Sequence, residues 1–389
     1  MFKLYDDERT LLMIPGPVEV HPRVLREMSK PIYGHRTDEF RDLLQEINKM
    51  LKPIFETKGE VLILTGSGTL AMDAAVRTFV SKGDKVLSLV NGKFSNRFAE
   101  IAKSIGADVK TVEVPWGKAI KPEMVEKALQ KNNNIKAVTI THNETSTGVL
   151  NPLEDIAKVV KEYEALLIVD GITSVGGDYV KTDDWKLDVV VAGSQKCLGV
   201  PPGLAFVALR GKALELLEEQ ESKETNSYYT NLKLYYDVWI KKKDLPFTGG
   251  ISLVYGLYES LKMIHEEGIE NRIKRHRLMA RVLREGIRGL GLEIFAEKGY
   301  ESNTVTSVKY PDKIDDKTFR NKVREYGILI AAGQSHLKGK IFRLATMNLT
   351  GIREILTALS VIELVLRELG FDVKDSGVSK AISEFLISK

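Results

Sequence analysis

Two residues in this chain have types and places suited to covalent chemistry, Lys196 and Asp170. Lys196 ends the run Val190-Val191-Ala192-Gly193-Ser194-Gln195-Lys196, where a β-branched stretch gives way to small residues, a hydroxyl, an amide and an amine. Asp170 ends Ala165-Leu166-Leu167-Ile168-Val169-Asp170, an apolar run that stops on a carboxylate. Short apolar runs bounded by turn signals read as buried strands. The ends of such strands in an open α/β sheet are where ligands bind. An amine and a carboxylate in one crevice suit pyridoxal phosphate: the lysine joins the aldehyde and the aspartate holds the ring nitrogen. The same pair also reads as a strand-capping aspartate and a surface lysine, and the two residues alone do not separate these readings.

A third feature adds weight. Thr65-Gly66-Ser67-Gly68-Thr69 joins a strand pattern to a helical one. The glycines permit a tight turn, and the Ser67 and Thr69 hydroxyls with the first helical N–H groups can hold a phosphate. No Gly-Lys-Ser/Thr follows, so it is not a P-loop. The Gly-x-Gly-x-x-Gly pattern of dinucleotide sites is incomplete, since Ala71 stands at its third position. Alone it is also an ordinary strand–helix turn, but one cofactor would use this loop, Asp170 and Lys196 together. Arg343, in Ile341-Phe342-Arg343-Leu344, offers a planar fork for a carboxylate, or is a structural arginine on a strand. Pro15-Gly16-Pro17 fixes a loop able to approach a ligand closely. Cys197, the only cysteine, reads as core. The six histidines show no metal-ligand spacing. His142 closes a strand, and His35-Arg36 either borders an entrance or caps the helix that begins near Asp38.

The elements that must position these residues alternate. Strands are expected at Val61–Thr65, Val86–Val90, Val109–Val114, Ala137–Thr141, Leu166–Val169, Val189–Val191 and Leu204–Leu209. Helices are expected at Asp38–Leu51, from Thr69 to Phe79, and at Phe98–Ile105, Glu123–Leu129 and Leu153–Glu162. Such alternation argues an α/β fold with a mainly parallel, doubly wound sheet. A long helical pattern, Tyr255–Leu290, is interrupted at Gly268. Beyond it come Thr304–Lys309 (strand), Asp316–Glu325 (helix), Ile328–Ala331 and Ile341–Ala345 (strands) and Ile352–Leu369 (helix), a small α+β C-terminal domain. The expected division is an N-terminal arm at 1–20, a large domain at 21–270 and a small domain at 271–389.

Composition limits the alternatives. The chain has 389 residues, 43% hydrophobic and 28% charged, enough for two packed cores and unlike a disordered chain. A net charge of +4 gives no indication of nucleic-acid binding. No apolar run approaches the roughly 18 residues of a membrane span. The charged N-terminus lacks a signal-peptide stretch, so a cytoplasmic location is expected.

Taken in order, the motifs resemble one family. They are Pro15-Gly16-Pro17, Gly34-His35-Arg36, Gly66-Ser67-Gly68-Thr69, Asn91-Gly92-Lys93-Phe94, His142-Asn143-Glu144-Thr145-Ser146-Thr147-Gly148-Val149, Val169-Asp170, Gly193-Ser194-Gln195-Lys196 with Pro201-Pro202-Gly203, and Arg343. The chain resembles the class V aminotransferases of the fold-type I pyridoxal phosphate enzymes, nearest the alanine:glyoxylate and serine:pyruvate group. The resemblance implies roles. Lys196 would carry the cofactor as a Schiff base and Asp170 would pair with its ring nitrogen. Ser67, Gly68, Thr69 and Gln195 would hold its phosphate, Phe94 would stack on its ring, and Thr145 would contact the ring near the phenolic oxygen. Arg343 would bind the substrate carboxylate, with Gly16 close to the substrate. A homodimer with shared active sites is implied, Thr248 reaching the partner's phosphate. The family often has Tyr two residues before that Thr, where this chain has Pro246, which puts that contact in question. Thr69 stands where some members have His, and Phe94 replaces the commoner Trp.

The expected activity is transfer of an amino group from serine or alanine to pyruvate or glyoxylate, in a ping-pong exchange between the cofactor's aldehyde and amine forms. Three alternatives stand beside it. A 2-aminoethylphosphonate:pyruvate aminotransferase differs in its donor. A class V lyase such as a cysteine desulfurase needs a cysteine on a mobile loop and usually a His where Gln195 stands. A non-catalytic cofactor-binding subunit would not need Lys196, Asp170 and Arg343 together.

Overall fold

The computed structural model describes residues 10–219 and 227–388. The first nine residues of the expected arm lie outside them. Seven strands form the central sheet: β1 (Glu60–Gly66), β2 (Lys85–Val90), β3 (Asp108–Glu113), β4 (Ile135–Thr141), β5 (Leu166–Asp170), β6 (Val189–Gly193) and β7 (Gly203–Leu209). Every residue of β5 and β6 is buried, as in strands covered on both faces. The order is β1-β7-β6-β5-β4-β2-β3. The neighbours β6, β5, β4, β2 and β3 run parallel, and β7 runs antiparallel to both β1 and β6. The register sets Thr141 beside Asp170 and Asp170 beside Val191, so the C-terminal ends of β4, β5 and β6 lie side by side.

Helix α1 (Gly68–Phe79) follows β1, and α2 (Lys93–Ser104) follows β2. The sequence pattern puts the start of α2 at Phe98, but the helix begins at Lys93. A carboxylate from another segment, Glu144, satisfies its first amides, a tertiary cap with no local sequence signal. The long pattern after residue 250 is two helices, Ile251–Glu267 and Ile269–Gly289, broken at Gly268 with φ +80°.

A smaller antiparallel sheet holds β8 (Val305–Lys309), β9 (Ala331–Ala332) and β10 (Ile341–Ala345), in the order β8-β10-β9. The single strand expected at Ile328–Ala331 is split. Ala331–Ala332 joins β10, while Ile328–Leu329 pairs in parallel with Leu11–Leu12 of the arm. Two large hydrophobic cores form among the described residues. One spans residues 40 to 264 around the large sheet; the other joins Met13 to residues between 279 and 381. The arm is therefore woven into the C-terminal core. It also reaches the large sheet, where the Val18 amide donates to the Gln195 carbonyl at 3.1 Å. Among the described residues, four α-helices lie outside the sequence expectation: Pro22–Met28, Lys212–Glu219, Leu232–Lys242 and Gly377–Ser388. No helix among the described residues is long and apolar enough to cross a membrane.

Candidate active site

Asp170 closes β5 in a buried setting. Its Oδ1 accepts from the Ile172 amide at 2.9 Å and its Oδ2 from the Thr141 hydroxyl at 3.4 Å. Burial pushes its carboxyl up to about 7, reinforced by Glu144 and opposed by those two donors and by Arg97. Such a group can share a proton with a ring nitrogen.

Lys196 follows the end of β6, and its ammonium donates to the Pro15 carbonyl of the arm. Burial lowers its pKa to about 8, with Arg343 and Arg97 pulling the same way and Cys197 and Asp170 opposing. A neutral amine is therefore far more accessible than for an ordinary lysine near 10.4. Gly16 lies against it. At Gly16, where φ is +90°, an added Cβ would sit 2.6 Å from the Lys196 Nζ. Only glycine allows the arm this close.

The turn expected to hold a phosphate, Thr65–Thr69, stands at the start of α1. Ser67 is its N-cap residue but makes no side-chain cap bond. The Gln195 Oε1 is buried without a hydrogen-bond partner. A Cβ at Gly193 would lie 3.0 Å from that oxygen and 3.5 Å from the Gly68 Cα, so the missing side chain lets the helix start approach Gln195. Thr69 accepts a hydrogen bond from Arg97 Nη1 at 2.9 Å, and the Arg97 guanidinium lies 4.8 Å from the Phe94 ring centre.

Phe94 is placed by Glu144, a residue to which sequence reasoning assigned no role. This fully buried carboxylate accepts from the amides of Phe94 and Ser95 and from the hydroxyls of Ser95 and Ser146. It thus substitutes for a local cap at the start of α2, where negative charge is favoured. A Cβ at Gly92 would fall 2.3 Å from the Glu144 Cδ, which explains glycine there. Thr145 is held by its hydroxyl to Thr173 at 3.0 Å, while its carbonyl accepts from Arg343 Nη1 at 2.9 Å. Arg343, buried on β10, also donates from Nε and Nη2 to the Ala332 carbonyl, at 3.0 and 2.8 Å. Those bonds use three of the five N–H groups of a guanidinium, leaving one on each Nη for a ligand.

Ser67, Gly68, Thr69, Phe94, Thr145, Asp170, Gln195, Lys196, Gly16 and Arg343 thus converge from both sheets and the arm. Thr248 stands apart. It is exposed, with its hydroxyl 3.2 Å from His35 Nε2. Arg36 donates to the Leu245 carbonyl and pairs with Asp244, so His35-Arg36 grips the 244–248 segment, and the N-cap of the Asp38 helix is Thr37. His142 is buried against Ser174 and Trp185 and held near 4 by burial, a neutral core residue. Cys197 is also buried, and burial pushes its thiol up to about 11, which suits core packing and not nucleophilic attack.

These residues fit pyridoxal phosphate. Asp170 is buried at the end of β5, and Ser67 at the start of α1 caps none of that helix's amides, so an acid for a ring nitrogen and donors for an anion are both present. Lys196 would hold the aldehyde carbon, Asp170 the ring nitrogen, and the Ser67–Thr69 turn with Gln195 the phosphate.

Comparison with known proteins gives consistent findings. A family model described as aminotransferase class-V matches residues 26–353. An uncharacterized aminotransferase of Methanocaldococcus jannaschii is 46% identical over 377 residues, covering 97% of each chain. A serine–glyoxylate aminotransferase of Methylorubrum extorquens is 34% identical over 388 residues, 96% of each chain. Among solved structures, the ureidoglycine–glyoxylate aminotransferase of Bacillus subtilis superposes with a TM-score of 0.91 at 32% identity, covering 97% of this chain and 98% of that one.

Proposed function

Because the chain belongs to the class V aminotransferases, which are pyridoxal phosphate-dependent transaminases, we infer that it moves the amino group of serine or alanine to pyruvate or glyoxylate. When bound, the cofactor supplies an aldehyde that joins amines and a ring that draws electrons from the adjoining carbon. The side chains do the rest. Lys196, neutral above about 8, takes the proton from the substrate Cα and returns it on the cofactor side, a step worth roughly 10²–10⁴-fold. Asp170 keeps a proton at the ring nitrogen. Arg343 holds the substrate carboxylate with its two unused N–H groups, and the dense packing around it keeps that fork fixed.

The observation that carries the small-substrate reading is the approach of Gly16 to Lys196, so close that a Cβ added at Gly16 would fall 2.6 Å from the Nζ. An arm held this near the lysine would leave little room past a substrate β-carbon. The other nearby cation, Arg97, is bonded to Thr69 on the phosphate loop and not turned toward a side-chain carboxylate. A second carboxylate would be buried without a partner, at a cost of several kcal/mol. The proposed working form is a homodimer in the cytoplasm, with Thr248 serving the partner's phosphate site. Its exposure and its place beside the phosphate-loop strand support this, since a Cβ at the adjoining Gly249 would be 3.5 Å from the Thr65 hydroxyl.

The test is a panel of amino donors, read by conversion of the cofactor from its aldehyde to its amine form. Serine and alanine should exceed aspartate and glutamate by at least about a hundredfold. Glutamate reacting as well as serine would end the small-substrate reading and leave the aminotransferase family untouched.

A further inference from the structure

We propose that Arg97 supplies the positive charge of the phosphate-binding end of the site, acting through the Thr69 hydroxyl as a positioning residue. The inference rests on reading Ser67–Thr69 as the phosphate loop. That loop, Thr65-Gly66-Ser67-Gly68-Thr69, contains no lysine or arginine. A phosphate monoester carries about −1.5 to −2 charges at neutral pH. The helix end offers only about half a charge against it.

Arg97 stands one turn after Phe94 on α2, so the two share a face. It is partly buried, yet no carboxylate among the described residues lies within ion-pair distance of it. Its contacts are the Phe94 ring and the Thr69 oxygen. Asp170 acts on it only at longer range, which leaves its hydrogen-bonding groups open to an anion supplied by a ligand. The direction of the hydrogen bond says where that anion sits. Guanidinium groups only donate, so the Thr69 oxygen is the acceptor and its own proton must point elsewhere. No described residue accepts that proton. The hydroxyl is therefore turned by Arg97 into an oriented donor at the start of α1, beside Ser67, whose side chain caps none of the helix's amides. A tetrahedral anion with several acceptor oxygens matches this set, and the cofactor phosphate is that anion. Polarisation by the guanidinium strengthens the Thr69 bond as charge-assisted bonds are strengthened.

The competing role for Arg97 is packing alone, holding the Phe94 ring against the cofactor ring. Two ligands separate the roles: pyridoxal phosphate, and pyridoxal, which has the same ring and no phosphate. The apoprotein and its Arg97→Met, Arg97→Lys and Thr69→Val variants are titrated with each, and binding is followed by absorbance. Arg97→Met should weaken pyridoxal phosphate about tenfold or more, with pyridoxal unchanged within about twofold. Thr69→Val should do the same, Arg97→Lys should recover part of the loss, and the double variant should be no worse than the weaker single one, because the two side chains act as one unit. The proposal is overturned if Arg97→Met binds pyridoxal phosphate like the native protein, if both ligands weaken equally, or if the two losses add in full. Should Arg97→Met not fold, Arg97→Lys and Thr69→Val carry the comparison. A native apoprotein that binds both ligands equally would instead overturn the assignment of the phosphate loop itself.

Discussion

Replacing Gly16 with alanine tests the approach of the arm to Lys196. Two costs are expected, and they are separable. Gly16 has φ +90°, a conformation that costs an L-residue about 1–3 kcal/mol, so stability should fall by that amount. The added methyl would also lie 2.6 Å from the Lys196 Nζ, 2.7 Å from its Cδ and 2.9 Å from its Cε. Ordinary contacts are about 3.5–4.0 Å, so the lysine must retreat by roughly 1 Å. A misplacement of that size costs about a hundredfold in rate. Urea unfolding of the apoprotein measures the first cost, and the rate at which the apoprotein captures pyridoxal phosphate measures the second. Gly339 supplies the control. Its φ is +78° with nothing within 4 Å of an added Cβ, so Gly339→Ala should lose comparable stability and capture cofactor at the native rate. Native-rate capture by Gly16→Ala would refute the idea that the arm sets the position of the lysine. Equal slowing in both variants would assign the effect to general destabilisation.

The other expectations follow the same residues. Asp170→Asn should still bind the cofactor but lose about 10²–10⁴-fold in turnover, because an amide cannot keep the ring nitrogen protonated; near-native turnover would show another electron sink. Capture of the cofactor should speed up as pH rises through about 8, since only the neutral Lys196 amine attacks and burial holds its pKa below the ordinary value. Borohydride treatment should then leave the label on Lys196, and a label on Lys93 would refute the assignment. If Thr248 serves the partner's phosphate, dilution to monomer should release cofactor, and a monomer that keeps both cofactor and activity would contradict it.

Much of this was legible because the chemistry sits at strand ends. The runs before Asp170 and Lys196 are so uniformly apolar that their ends could be placed from sequence, and β5 and β6 stop near where the pattern stops. The direction of β7 was not legible from its apolar run, because strands buried on both faces look alike in either direction. Its short link to β6 was the available signal, since a parallel return needs a dozen or more residues. Glu144 and Arg97 were missed for a different reason. Glu144 lies in a recognised motif, but its partners, Phe94 and Ser95, belong to a distant segment. Arg97 looks like any surface charge on a helix until Thr69 is brought beside it. Leu11–Leu12 is too short to carry a period, and only its pairing with Ile328–Leu329 makes it a strand.

The path of the arm also orders events during synthesis. Leu11–Leu12 pair with Ile328–Leu329, the Met13 carbonyl accepts from the Ala345 amide at 2.7 Å, and the Pro15 carbonyl accepts from Lys196. This segment is thus seated by segments made much later than itself, and such long loops close slowly. A nascent chain still short of residue 345 can hold the large sheet and its lysine but not the seat that presses Gly16 against that lysine. The growing polypeptide would therefore expose its reactive amine without the surroundings that restrict what joins it. Synthesis of the segment through residue 345, and not the emergence of Lys196, sets the surroundings of that amine.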